Sequence, residues 1–362
     1  MPVSEQLKKE LQVIADECID CGKCMTKCRF LAESGSPVSI ALRALSSDED
    51  ADKVAIRSYA CSVCGLCSAV CPVAVEPDRM FKELRNHAQA NAIFRLDKYD
   101  PLLNYERLGQ RFPFKGEFIP ENCKTIFFPG CTLPAMHLDA TRVAYKIIKR
   151  EEPTMGLVLN CCSKPSKMLG LKSRHEEALS ELIHRLERKG VKKIITACPN
   201  CHKTFQEFNS NLKIVSIYKR LKVSKFIPVR PTIQEVTIHD PCVTRNETEM
   251  HKNVRALLKA MGIRVVEMRH SRTNTLCCGE GGATHFYKKD YAEYWSRKRI
   301  TEAQRTGVPM VTYCAGCVNF LGCKYPTAHV LDILLVKRKR IPKPVAFPFN
   351  YINRLIFKFS KH

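Results

Sequence analysis

CIDCGKCMTKC (18–28) and CSVCGLCSAVCP (61–72) repeat one spacing: successive cysteines separated by two, two and three residues. A thiolate is a soft metal ligand, and four of them on eleven residues are too crowded, twice over, for tetrahedral zinc. Three thiolates on one tight loop reach three corners of an iron–sulfur cube, and the fourth, turned away, serves the other cube. Cys18, Cys21, Cys24 and Cys71 are therefore one expected ligand set, and Cys61, Cys64, Cys67 and Cys28 the other. The fold follows from the 32 residues between the runs, which include Pro37-Val-Ser-Ile-Ala-Leu-Arg-Ala-Leu45, a helix opening on proline.

The chain has 362 residues, enough for two or three domains, and 20 cysteines gathered in clusters. The N-terminus reads as a short amphipathic helix over Met1–Asp20, with Lys8, Lys9 and Glu10 on its polar side, instead of a signal peptide. No apolar run reaches the length of a membrane span. Cysteine-rich chains in a reducing compartment hold metals or do redox work, so a cytoplasmic protein is expected. The formal charge of +23 stays positive after several cluster charges are subtracted. It suits an anionic substrate, an acidic partner or a membrane surface. Nothing resembles a nucleic-acid reading motif, so no nucleic acid is expected.

Beyond residue 123 the chain repeats itself. Strands expected at Ile126–Phe128, Leu157–Leu159 and Lys193–Thr196 have echoes at Val236–Ile238, Ile263–Val266 and Met310–Thr312. Helices at about 138–150 and 174–189 match those at about 251–261 and 290–306. Each repeat supplies five cysteines: Cys131, Cys161, Cys162, Cys198 and Cys201, then Cys242, Cys277, Cys278, Cys314 and Cys317. From the adjacent pair onward every cysteine is offset by 116 positions. Alternating short strands and helices predict two α/β units with their cysteines at strand ends, where open parallel sheets place ligands. Five thiolates exceed a tetrahedral site, and an adjacent pair suggests a larger or bridged cluster.

The first two runs match the bacterial ferredoxin pattern, and their long helical spacer resembles the all-helical ferredoxin domain of succinate dehydrogenase and heterodisulfide reductase. The pentads resemble the cysteine-rich CCG domain of heterodisulfide reductases. The order of the parts is similar to the fused D-type catalytic subunit of those enzymes, over roughly residues 15–335. The resemblance implies an α + α/β fold: an N-terminal all-helical ferredoxin domain, then two duplicated small Rossmann-like α/β cysteine-rich domains. The boundaries read as 1–83 for the ferredoxin domain, 84–122 for a connector, 123–213 for the first CCG domain, 214–335 for a linker and the second, and 336–362 for a basic tail. It further implies two cubane [4Fe–4S] clusters and two non-cubane [4Fe–4S] clusters, one per pentad, which split a disulfide between them. All ten pentad cysteines are then catalytic. The first repeat departs from the family, reading Cys161-Cys162-Ser163 where the second reads Cys277-Cys278-Gly279, and zinc is the competing occupant there.

Two functions of different kinds follow. In one, the chain is a disulfide reductase of anaerobic metabolism, fed through its cubanes by a membrane cytochrome b-like subunit or a flavoprotein and acting on a small disulfide. In the other, it is the electron-transfer subunit of a glycerol-3-phosphate, glycolate or lactate oxidising complex, without substrate chemistry of its own. The tail bears on partners. Ile352, Leu355, Ile356 and Phe359 share one helical face opposite Arg354, Lys358 and Lys361, a pattern suited to peripheral contact with the inner face of the cell membrane. Cys123 and Cys323 fall outside every pattern and are expected as buried free thiols.

Overall fold

The computed structural model describes residues 3–224, 232–337 and 340–360; Lys361 and the middle of the basic run 337–340 lie outside them. The chain divides into two compact units. One comprises Met1–Leu103, Pro165–Glu176 and Thr273–Arg299; the other comprises Asn104–Lys164, Glu177–Arg272 and Ile300–His362.

The described part of residues 1–103 is helical throughout. Ser4 Oγ caps the helix Glu5–Glu17 by accepting from Leu7 N, and Leu7, Leu11 and Ile14 turn its apolar stripe inward. The helix Pro37–Ser46 starts with proline behind the cap of Ser36, and Asp48–Arg57 starts with three acids behind the cap of Ser47. These three pack with the helix Pro77–Ala90, whose Met80, Phe81, Leu84 and Ala88 complete the core. Burying each large side chain contributes about 2 kcal/mol. The two cysteine runs lie in the turns that link these helices. In each, the residues flanking the second cysteine take left-handed backbone angles: Asp20 and Gly22 in the first run, Val63 and Gly65 in the second. This shared geometry bends three cysteines onto one tight loop.

The other unit is α/β. Its first sheet runs β1 (Gly116–Phe118), β3 (Gly156–Leu159), β2 (Thr125–Phe128), β4 (Lys193–Thr196), β5 (Lys213–Ser216), and is parallel except for the edge strand β1. The second runs β7 (Arg264–Val265), β6 (Glu235–His239), β8 (Met310–Thr312), β9 (Thr327–His329), all parallel. Setting β1 aside, the two orders are the same order, so the duplication extends to topology. Both sheets share one core, in which Phe127, Leu157 and Ile195 belong to the same cluster as Val236, Ile238 and Val311. Among the described residues no helix is long and apolar enough to cross a membrane.

All six strands expected from sequence form, as do the four repeat helices, now bounded at Leu138–Glu151, Lys172–Arg188, Thr248–Ala260 and Lys289–Gln304. The stretch 84–122 is more than connector: it carries the end of the helix Pro77–Ala90, the helix Asp100–Gly109 and β1.

Candidate functional site

The helical unit holds two small cavities walled by cysteine. One is lined by Cys18, Cys21, Cys24 and Cys71, with Cys67 at its side. The other is lined by Cys28, Cys61, Cys64 and Cys67, under Phe30, Phe81 and Trp295. Burial, followed by the neighbouring Cys18, pushes the Cys24 thiol up to about 11; burial and Cys64 push Cys28 up to about 12. Cys61 and Cys67 are pushed up too, again chiefly by burial. Crowded, buried thiols that resist ionisation are a poor resting state but a fitting donor set for a multivalent soft cation, which supplies the missing positive charge.

The first pentad is brought together entirely. Cys131 follows β2, Cys161 and Cys162 follow β3, and Cys198 and Cys201 follow β4, all at the carboxyl ends of parallel strands. Cys131 Sγ lies 4.0 Å from Cys161 Sγ. Cys161, Cys162, Cys201 and Cys198 lie close enough to shift one another's ionisation. The neighbouring Cys161 and Cys201 hold the Cys162 thiol well below its ordinary range. Gly130 makes this possible: with φ near +80°, a Cβ there would meet Cys201 Sγ at 3.0 Å and Cys198 Cβ at 3.2 Å.

Ser163 resolves the departure noted in the sequence. It adopts φ +56°, the left-handed conformation that Gly279 also adopts on the positive side at φ +104°. Its hydroxyl accepts a 2.6 Å bond from Gln110 Nε2, which helps to hold a serine where glycine would sit without strain.

The second pentad is divided between the units. Cys242, Cys314 and Cys317 belong to the α/β unit, at the ends of β6 and β8, whereas Cys277 and Cys278 belong to the helical unit. Within the α/β unit, Asn200 Nδ2, from the Cys198–Cys201 loop, donates to Cys314 Sγ at 3.7 Å, so the corresponding loops of the two repeats are neighbours. The buried Tyr218 hydroxyl feels both Cys198 and Cys314, after burial itself, and is pushed far up. Within the helical unit, Gly281 and Gly282 lie against the backbone of Cys61 and Ser62. A Cβ on Gly281 would meet Ser62 O at 2.8 Å and Cys277 Sγ at 2.9 Å, and one on Gly282 would meet Cys61 O at 2.6 Å. The small residues after Cys277-Cys278 thus let this segment press on a ferredoxin-type loop.

Arg85 pins that contact. Fully buried and stacked 4.9 Å from the Tyr59 ring, it donates to the carbonyls of Ser58 (3.0 Å), Cys61 (2.6 Å), Met168 (2.7 Å) and Gly282 (2.9 Å). Thr284 Oγ1 adds a 3.0 Å bond to Cys61 O. Sequence reading passed over Arg85, Asn200 and Tyr218, because each acts through a partner more than twenty positions away. Of the cysteines outside the patterns, Cys123 is buried as expected and donates to Thr125 O at 3.0 Å, whereas Cys323, expected buried, is exposed because it caps the end of the helix Ala315–Gly322.

Comparison with known proteins finds two kinds of domain in the chain. The 4Fe-4S dicluster domain family matches residues 14–75, and the Cysteine-rich domain family matches 125–206 and again 236–322. The D-type subunit of the dihydromethanophenazine:CoB–CoM heterodisulfide reductase of Methanosarcina barkeri is 20% identical over 82% of this chain and 85% of its own length. The chain is a heterodisulfide reductase D-like iron–sulfur protein. Similar too are the B-type subunit of the fumarate reductase (CoM/CoB) of Methanothermobacter marburgensis and a probable glycolate oxidase iron–sulfur subunit of Bacillus subtilis. The first is 24% identical over 83% of this chain but 66% of its own length, the second 21% over 91% and 97%. A hypothetical protein from Helicobacter pylori shares the fold, with a TM-score of 0.51 at 10% identity over 95% of this chain and 77% of that one. The D-like protein is thus of an iron–sulfur oxidoreductase kind.

Replacing Arg85 by glutamine strands several buried carbonyls, each costing about 1–3 kcal/mol. A loss of about 3–5 kcal/mol is expected, read by anaerobic thermal or denaturant unfolding.

Proposed function

We propose that this protein reduces a small disulfide, using electrons that enter through the eight ferredoxin-type cysteines and reach the two pentads. The balance is R–S–S–R plus two electrons and two protons giving two R–SH. Iron–sulfur clusters, when bound, would supply the electrons singly, two in succession for each S–S bond. Cys18, Cys21, Cys24 and Cys71 would hold one cubane, and Cys61, Cys64, Cys67 and Cys28 the other. Cys131, Cys161, Cys162, Cys198 and Cys201 would hold one further cluster, and Cys242, Cys277, Cys278, Cys314 and Cys317 the second.

The observation that carries this reading is the completeness of the first pentad. Five sulfurs gather at the carboxyl ends of three neighbouring strands, near enough to shift one another's ionisation, and Ser163 takes the positive φ that a glycine accepts without strain. A relay subunit has no need of a second five-thiolate site. The Asn200–Cys314 bond supports two metal groups near each other, as cleavage between them requires. Contact of Gly281 and Gly282 with the Cys61–Ser62 backbone supports electron entry from the ferredoxin-type loop to the Cys277-Cys278 segment. Tyr218, whose hydroxyl stays protonated beside Cys198 and Cys314, is suited to donate a hydrogen bond to developing thiolate. The donor is a membrane cytochrome b-like subunit or a flavoprotein.

Viologen-linked turnover of the anaerobically purified, full-length protein against a panel of small disulfides tests this. Disulfide-dependent oxidation of the dye is expected, falling at least a hundredfold in Cys162→Ser and in Cys278→Ser while the ferredoxin-type loops keep their iron. No turnover with any disulfide, alongside undiminished electron transfer to a flavoprotein, would leave the relay function in its place.

We further propose that the protein docks on an anionic lipid surface through its C-terminal helix, Phe349–Phe359. The helix lies the other way round from the usual amphipathic arrangement. Arg354 and Lys358 are buried, with Lys358 Nζ donating to the carbonyls of Pro113 and Lys115, both at 2.6 Å. Phe349, Ile352, Ile356 and Phe359 form the outward stripe, 41% to 66% exposed. Beside its C-terminal end runs a groove lined by Arg142, Lys146, Lys149, Arg150 and Ser360. Apolar side chains flanked by cations match acyl chains beneath anionic headgroups, a complementarity that a neutral apolar protein partner lacks. The full-length protein is expected to co-sediment with phosphatidylglycerol-containing vesicles and not with pure phosphatidylcholine. Binding should fall with salt and drop at least tenfold when all four stripe residues become serine. Equal sedimentation of that variant, or self-association through the stripe without vesicle binding, would refute the docking.

A further inference from the structure

The face of the C-terminal helix that turns inward carries a charge with no visible counterpart. Arg354 is 6% exposed, and its guanidinium carbon stacks 4.4 Å from the Phe114 ring centroid and 4.9 Å from that of Tyr105. Among the described residues it forms no ion pair, and its Nη1 has no hydrogen-bond partner. Cation–π stacking offsets only part of the desolvation cost of a buried ion. A guanidinium left in that state needs an anion that protein side chains here do not supply.

The direction in which it points names the anion. The place that a Cβ would take on Gly109 lies 3.2 Å from Arg354 Nη2, 3.1 Å from Cys161 Cβ and 3.8 Å from Cys131 Cβ. The guanidinium and two cysteines of the first pentad therefore converge on one spot, left open because residue 109 has no side chain. Tyr105, under the guanidinium, donates to the carbonyl of Cys131 at 3.2 Å.

We propose that Arg354 is a positioning residue for the first pentad, balancing the negative charge of the metal–thiolate group held there and raising that group's reduction potential. The proposal rests on the reading that the first pentad holds a cluster. A fixed cation favours the form carrying one more electron, and the low-dielectric surroundings make that preference larger than it would be in water. The helix that offers its apolar face outward thus contributes its polar face to redox chemistry. Arg85, stacked on Tyr59 with its charge felt by Cys61, is the parallel case in the helical unit.

The test compares wild-type, Arg354→Gln and Arg354→Lys full-length protein, each prepared anaerobically, by potentiometric titration followed with electron paramagnetic resonance. In Arg354→Gln the reduction equilibrium of the pentad cluster is expected to fall at least tenfold, about 59 mV for one electron, with the ferredoxin-type clusters unmoved. Arg354→Lys keeps the charge and should recover most of the difference. If Arg354→Gln loses iron from the pentad while Arg354→Lys keeps it, the charge role again stands. An unchanged potential at full iron content in Arg354→Gln overturns the proposal, as does equal loss of iron in both variants, which marks a packing role. Iron analysis of Cys131→Ser separates this from the premise: no change from wild type would mean that the first pentad never held a cluster, and the proposal falls with it.

Discussion

The arrangement depends on one electrostatic constraint: many sulfurs that must become thiolates are crowded where water is excluded. Burial and mutual repulsion push the Cys24, Cys28, Cys61 and Cys67 thiols up, so none would ionise without positive charge close by. Metal provides most of that charge. Buried guanidinium groups provide the remainder, and both Arg85 and Arg354 lie on aromatic rings, where a cation tolerates low dielectric. The basic composition is therefore only partly a surface property. Two of its charges face cysteine.

The same constraint accounts for the glycines that matter. At Gly130 the missing Cβ leaves room for Cys198 and Cys201 to approach. Gly281 plays the corresponding part between Cys277 and the backbone of Ser62. Where the first repeat has lost its glycine, the conformation survives and Gln110 holds the serine in it. The departure in the sequence leaves the turn itself in place.

Much of this was legible in the sequence, for physical reasons. Cysteine spacing is local, and it encodes loop geometry directly, so all the runs and the 116-residue offset could be read without a fold. Strands of the repeats were legible because apolar triplets end at cysteines. The strands β1, β5 and β9 were not, since no cysteine follows them to mark their ends. Nor could one sequence show that Cys277-Cys278 belongs with the helical unit while its repeat mates lie in the other, since contacts of that kind depend on tertiary packing. The tail illustrates the limit most clearly. Periodicity found the helix and its two faces and assigned the apolar face to a surface contact. What it could not show is that the basic face is buried, because Lys358 finds carbonyl acceptors and Arg354 finds aromatic rings that no local pattern records.

What everything else assumes is that these thiolates hold iron. Iron, zinc and acid-labile sulfide should be measured together on the anaerobically purified full-length protein and on a variant with Cys161 and Cys162 both changed to serine. About sixteen irons per wild-type chain with matching sulfide, about four fewer in the variant, and no stoichiometric zinc are expected. A colourless, iron-free protein, or zinc at the pentads with iron unchanged between the two, would contradict it.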